Sequence, residues 1–164
     1  MLSNRVEAIL IATGQARDAA SARSNRCESI AQLASNWFGE AQECLLAAAD
    51  LYISIGDDDQ AEQTLLRFQS FESVKASASV ERLARSDRLL AQIESRSNRL
   101  DQALDRIETR LQGLGSADPS ALSLRFAKTR LLMDEGSLTE ASMELATYAD
   151  TARTVWADDP RQLA

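Results

Sequence analysis

The sequence predicts an all-α protein built from antiparallel helical hairpins, about eight helices in all. Three observations predict it. Ala, Leu, Arg, Glu, Gln and Ser dominate the 164 residues, with only two prolines, six glycines and eight aromatics, a composition rich in helix formers and poor in residues that favour strands. Apolar residues recur at helical spacing, as in Leu100, Ala103, Leu104, Ile107 and Leu111, and in Leu138, Ala141, Leu145, Tyr148, Ala152 and Val155. No segment alternates as a strand would. Finally, a turn-like pattern returns at near-constant intervals.

That pattern organises the chain. Leu51–Ala61 and Leu131–Ala141 each carry an apolar helix end, a glycine, a polar stretch and an alanine five residues after the glycine. Ile93–Ala103 repeats it with Asn98 in place of glycine, and Ile11–Ala20 repeats it more weakly around Gly14. Taken at Ala20, Ala61, Ala103 and Ala141, the intervals are 41, 42 and 38 residues, a period that signals a repeat array. Gly or Asn suits a helix end that must enter the left-handed region. Asp57 three before Gln60, Ser137 three before Glu140 and Asn98 three before Asp101 predict capping boxes at the helices that follow. Expected helices are 3–13, 16–36, 40–55, 58–73, 78–97, 99–113, 119–134 and 138–156. Asp118 is expected to cap the seventh, with Pro119 in its first turn. The array is one domain over 1–164, with repeats at about 3–36, 40–73, 78–113 and 119–156.

These repeats resemble the tetratricopeptide family. The second carries Ala49, Tyr52, Gly56, Ala61, Leu65 and Phe68 at the family's relative spacing, and the fourth carries Thr129, Leu132, Gly136, Ala141, Leu145 and Tyr148. In the third, Ala91, Asn98, Ala103 and Ile107 fit, while Glu94 and Arg110 stand where large apolar residues are expected; the first keeps Ala8, Ile11, Ala20 and Cys27. The family's tryptophan appears in no repeat. The period exceeds the usual length and is similar to long-helix variants in kinesin light chains and large bacterial transcriptional regulators. The resemblance implies a TPR-like right-handed α-solenoid whose first helices line a concave groove.

Composition excludes much chemistry. There is no histidine, which removes Ser-His-Asp and Cys-His catalysis and His-ligated zinc. No Gly-rich phosphate loop or Ser-x-x-Lys pattern occurs, so no enzymatic role and no cofactor or metal are expected. Asp57-Asp58-Asp59 reads as carboxylates in a first helical turn, not as a cation loop. Eighteen basic residues against twenty-five acidic ones give a charge of -7, which disfavours nucleic-acid binding. Apolar stretches are too short to span a bilayer, no signal peptide is read, and a cytoplasmic location is expected. Cys27 and Cys44 have no CxxC spacing and are expected to pack as small hydrophobes. Trp37 and Phe38 are expected to pack at a corner between repeats.

What remains is surface. By the family's spacing, Arg85, Arg88, Gln92 and Arg96 face the groove from the third repeat, Phe126, Arg130 and Met133 from the fourth, and Leu46, Asp50 and Ile53 from the second. Such a groove would take an acidic or amphipathic peptide or helix, making the chain a non-catalytic adaptor or scaffold. The competing view treats these charges as an ordinary solvated face, with Glu81 serving Arg85 and Asp87 beside Arg88. Tyr148, Val155 and Trp156 on the last helix are candidates for self-association as a homodimer. Two other roles fit the same features: the helical sensor segment of a larger regulator, or a small secretion-type chaperone.

Overall fold

In the computed structural model, residues 10–12, 14–33, 38–74, 79–115 and 118–157 are described. They are helical apart from short turns. Seven helices have described bounds: α1 (Ala16–Leu33), α2 (Phe38–Ser54), α3 (Asp58–Val74), α4 (Val80–Arg96), α5 (Leu100–Gln112), α6 (Pro119–Glu135) and α7 (Leu138–Val155). Residues 10–12 are the helical end of an eighth. These bounds fall close to the expected ones; most of the helix expected over 3–13 lies outside the described residues, as do Trp37 and the side chain of Phe38. Among the described residues no helix is long and apolar enough to cross a membrane. The chain divides into two compact units, Met1–Arg82 and Leu83–Ala164.

The turns share one hydrogen-bond scheme. Gly14, Gly56 and Gly136 have φ of 77°, 75° and 86°, and Asn98 is the one described non-glycine residue with positive φ, at 58°. At each, the N–H of the next residue bonds a carbonyl five positions back: Gln15 to Leu10, Asp57 to Tyr52, Arg99 to Glu94 and Ser137 to Leu132. This closes the end of one helix and satisfies its last carbonyls. Four residues further on, the N–H groups of Ala19, Ala61, Ala103 and Ala141 bond back to Gln15, Asp57, Arg99 and Ser137 and start the next helix. The first repeat is therefore registered on Ala19, one residue before the expected Ala20, and the turn residues recur at intervals of 42, 42 and 38. Both alanines are fully buried, so composition could not distinguish them.

The expected caps hold unevenly. Asp118 caps α6 as anticipated, its Oδ1 accepting from the Ser120 N–H at 2.8 Å with Pro119 in the first turn. At Asp57 the corresponding bond from the Gln60 N–H is long, 3.5 Å. Ser137 makes no side-chain cap; its hydroxyl instead donates to Glu135 at 3.2 Å. Asn98 does not cap α5 either, because it occupies the left-handed position and leaves Arg99 as the boundary residue.

In the first unit, α1 and α2 pack through Ala19, Ala20, Leu45, Ala48 and Tyr52, and α3 adds Ala61, Leu65 and Phe68, all buried. Leu46 and Ile53 are buried too, which corrects their expected placement on an open groove. Small residues let the helix axes approach, and Ser21 and Tyr52 hydrogen bond across α1 and α2 at 3.1 Å. The cysteines also depart from expectation. Cys27 and Cys44 are joined in a disulfide between α1 and α2, with Cα atoms 5.5 Å apart. Helix rotation across the hairpin turned both toward each other, a relation that sequence spacing alone does not encode. In the second unit, Ala84, Ala91, Ala103, Ile107, Leu124 and Leu131 form one core through α4, α5 and α6, with Leu100, Leu104, Leu111, Leu114 and Ala127 packed on it.

The crosslink encloses a segment set by a separation of 17 residues, for which loop-closure entropy amounts to about 3 kcal/mol. Urea unfolding with and without reductant should show a loss approaching that value, and Cys27→Ala/Cys44→Ala should unfold like the reduced protein. Equal midpoints under both conditions would show that the bridge contributes nothing.

Candidate binding surface of the second unit

Charge placement in the second unit begins with two buried carboxylates on α4. Asp87 and Glu94 lie seven residues apart, on one face of the helix, with side chains only 9% and 5% exposed. Carboxylates so placed require cations, and α5 supplies them at Arg106 and Arg110, four apart on its own face. Arg106 binds Glu94 with Nε and Nη2, the latter at 2.6 Å, and stands 3.7 Å from Asp87. Arg110 Nε donates to Asp87. The bond to Glu94 is the chief reason the Arg106 guanidinium is held above its ordinary pKa, against an opposing contribution from burial. The two residues that broke the repeat pattern, Glu94 and Arg110, are thus joined to partners across the hairpin. Both border an open cavity of about 570 Å³, whose lining is largely occupied by these pairs.

A second network ties α5, α6 and α7. Lys128 bonds Glu108 at 2.8 Å and Glu144 at 3.2 Å, and Arg125 bonds Glu144 at 2.7 Å. Burial would lower the Lys128 pKa, but the bonds to Glu108 and Glu144 together outweigh it and the pKa is raised. Neither network was anticipated from the sequence. The misplaced charges in the third repeat were the available signal, and their partners could not be assigned without the hairpin geometry.

These pairings decide what is left over. Asp87 is committed to Arg110 and Arg106, not to its chain neighbour Arg88, as expected when successive helical residues point about 100° apart. Among the described residues, Arg88 and Arg130 make no ion pair or hydrogen bond, whereas the other described cations of residues 83–157 each have a polar or electrostatic partner. Arg88 and Arg130 border the same cavity, about 210 Å³, between α4 and α6. Gln92, Ser95, Arg96, Phe126 and the exposed Asp134 also line it, with Ala91, Ala127 and Leu131 as its apolar part. Five of the seven residues expected on the groove from the third and fourth repeats therefore meet there. Arg85 and Met133 do not. Arg85 is half-buried on α4, and Met133 lies exposed on α6 away from the cavity lining.

The residues singled out for self-association are each half-buried. Tyr148 packs on Phe126, ring centroids 6.4 Å apart and tilted by 53°. Trp156 closes α7, its N–H bonding the Ala152 carbonyl. The expected α7 stripe is only partly covered: Ala141 and Ala152 are buried, but Leu138 and Leu145 are exposed.

No protein-family model matches the chain, and no curated protein does. Among solved structures it is similar to the crystal structure of BtubC (BKLC) from P. vanneervenii, at 17% identity and a TM-score of 0.71. The match covers 89% of this chain and 59% of that one. At this identity the likeness concerns the fold.

Two outcomes follow for the networks. Arg106→Ala strands Glu94 and should cost about 2–4 kcal/mol in chemical denaturation, whereas Glu94→Leu/Arg106→Leu should recover most of that loss. A full loss retained in the double variant would mean the pair is not the source. For Lys128, a folded pKa above the unfolded one makes its contribution complete below the unfolded value and lost as pH rises through the folded one. Melting temperature should thus fall on the alkaline side, above about pH 10, and Lys128→Met should flatten that part of the decline.

Proposed function

We propose that the protein is a non-catalytic interaction module of the tetratricopeptide-like kind, a set of stacked helical hairpins that holds an acidic peptide segment in the α4/α6 cavity. One observation carries the binding reading. In a unit where buried charge is otherwise matched, Arg88 and Arg130 reach one cavity without an ion pair, and the single carboxylate lining it, Asp134, is exposed and engages neither. A guanidinium offers a planar fork of donors suited to carboxylates. Phe126 adds an exposed aromatic edge and Ala91, Ala127 and Leu131 an apolar lining, so a ligand placing an apolar side chain beside an Asp or Glu meets both halves. The family-level reading rests on the four equivalent turns and on the buried alanine after each.

A cytoplasmic location follows from the sequence reading, and the Cys27–Cys44 bridge stands against it, since cytosolic thiols are kept reduced. Mass-shift alkylation of the protein in freshly lysed native cells distinguishes a dithiol from a bridge.

The binding reading is tested by selecting peptides from a random displayed library on the wild-type protein. Enrichment of Asp or Glu beside apolar residues is expected. Arg88→Glu and Arg130→Glu should each weaken the selected peptide at least about tenfold, the scale of one charge-assisted hydrogen bond, with melting temperature unchanged. Peptides without acidic residues, or full binding by the Arg88→Glu/Arg130→Glu protein, would overturn it.

A further inference from the structure

The two sulfurs that join α1 to α2 are unequal. Cys27 on α1 is 0% exposed, whereas Cys44 on α2 is part-exposed. A helix covers its own backbone with its turns, so what Cys44 offers to solvent is its side chain. Thiol–disulfide exchange needs a thiolate to reach one sulfur of the bond and push out the other. Such a nucleophile meets Cys44 from solvent, but meets Cys27 only when the hairpin opens. Access therefore decides which sulfur is attacked.

The seam between the helices also suits the reduced pair. The Arg23 carbonyl oxygen, one turn before Cys27, lies 2.9 Å from Cys27 Sγ and 3.8 Å from Cys44 Sγ, an acceptor for the S–H of either thiol. The Arg23 side chain crosses the same seam, its Nη1 3.5 Å from the Ala47 carbonyl one turn beyond Cys44. A guanidinium is thus held within about a turn of the exposed sulfur, where it favours the approach of an anionic thiolate. Nor does the hairpin depend on the bridge to stay closed: Ala19, Ala20, Leu45, Ala48 and Tyr52 are buried, and Ser21 bonds Tyr52 across it. Reduced thiols would remain face to face.

We propose that Cys27–Cys44 is a reversible thiol–disulfide site for small thiols and their disulfides, entered at Cys44 and resolved by Cys27. In reduction, a small thiolate bonds to Cys44 Sγ, the bridge breaks, and its electron pair leaves on Cys27, which takes a proton from water. A second thiolate attacks the small thiol's sulfur; a small disulfide departs and Cys44 is protonated in turn. Two thiols are oxidised to one disulfide, and the bridge is reduced to two thiols. Oxidation runs in reverse: the Cys44 thiolate attacks a small disulfide and expels one thiol, then the Cys27 thiolate displaces the other and closes the bridge.

The test mixes the reduced protein with oxidised glutathione, quenches samples in acid at intervals and locates adducts by peptide mass mapping. Cys27→Ala should accumulate one glutathione on Cys44. In Cys44→Ala, Cys27 should react at least about tenfold more slowly than that in native buffer, and at a similar rate once urea is added. Wild-type protein should carry glutathione on Cys44 only transiently and finish bridged. Early-quenched wild type gives the same assignment should either single variant fail to fold. Bridged wild type placed in reduced glutathione should open with its circular dichroism unchanged. Adducts forming on Cys27 as fast as on Cys44, no adduct at either sulfur, or glutathione retained on wild-type Cys44 without closure would overturn the proposal. So would a bridge that resists reduced glutathione until the protein is unfolded, because it would then be a permanent crosslink.

Discussion

A carboxylate buried on α4 has few ways to remain charged, and most of the second unit's surface follows from how Asp87 and Glu94 solve that problem. Each must find a cation within hydrogen-bonding reach or suffer a desolvation cost of several kcal/mol. Arg106 and Arg110 meet the need from α5, so the hairpin is fixed in rotation as well as in register: turning α5 by one residue would withdraw both guanidinium groups together. Where another repeat of this chain uses Leu65 and Phe68 on its second helix, the third uses Ile107 and Arg110. Ion pairs of this kind add less net stability than an apolar contact would, but they are intolerant of misalignment.

The same pairing separates structural arginines from available ones. Asp87 points to Arg110 and Arg106 across the hairpin, while Arg88, the next residue along α4, points about 100° away and has no such partner. Lys128 and Arg125 share Glu144, while Arg130, further along α6, faces elsewhere. Counting charges along the chain would balance Arg88 against Asp87; geometry assigns that carboxylate across the hairpin. Electrostatic satisfaction inside the hairpins is therefore coupled to electrostatic demand on the α4/α6 surface. The binding reading rests on that coupling, since a guanidinium whose carboxylate is engaged elsewhere retains its full capacity for a ligand.

Much of the fold was legible because helix ends are local events. Gly56, Gly136 and Asn98 announce left-handed residues, and Asp118-Pro119 announces a helix start, from chemistry contained within a few positions. Errors arose where a local signal had two uses. Asn98 reads as an N-cap or as a C-terminal left-handed residue, and backbone geometry took the second. Ser137 had both a cap and Glu135 within reach and turned to Glu135. At Ala19-Ala20 two equally small residues left the register open by one. The cysteine pairing was illegible for a different reason: it depends on the rotation of α1 against α2. Of the residues that the resemblance to tetratricopeptide repeats assigns to a groove, Arg88, Gln92, Arg96, Phe126 and Arg130 line one cavity. Exposure of Leu138 and Leu145 was missed, because periodicity reports which residues share a face and not whether another helix covers it.

The account turns on a distinction between arginines that are engaged and arginines that are free, and side-chain Nε–H NMR reads that distinction directly. In the free protein, Arg106 and Arg110 should give dispersed, slowly exchanging resonances, because their Nε–H groups donate to buried carboxylates. Arg88 and Arg130 should give averaged, rapidly exchanging signals that become ordered only when a ligand is bound. Ordered and protected resonances for Arg88 and Arg130 in the free protein, or averaged ones for Arg106 and Arg110, would contradict the central claim.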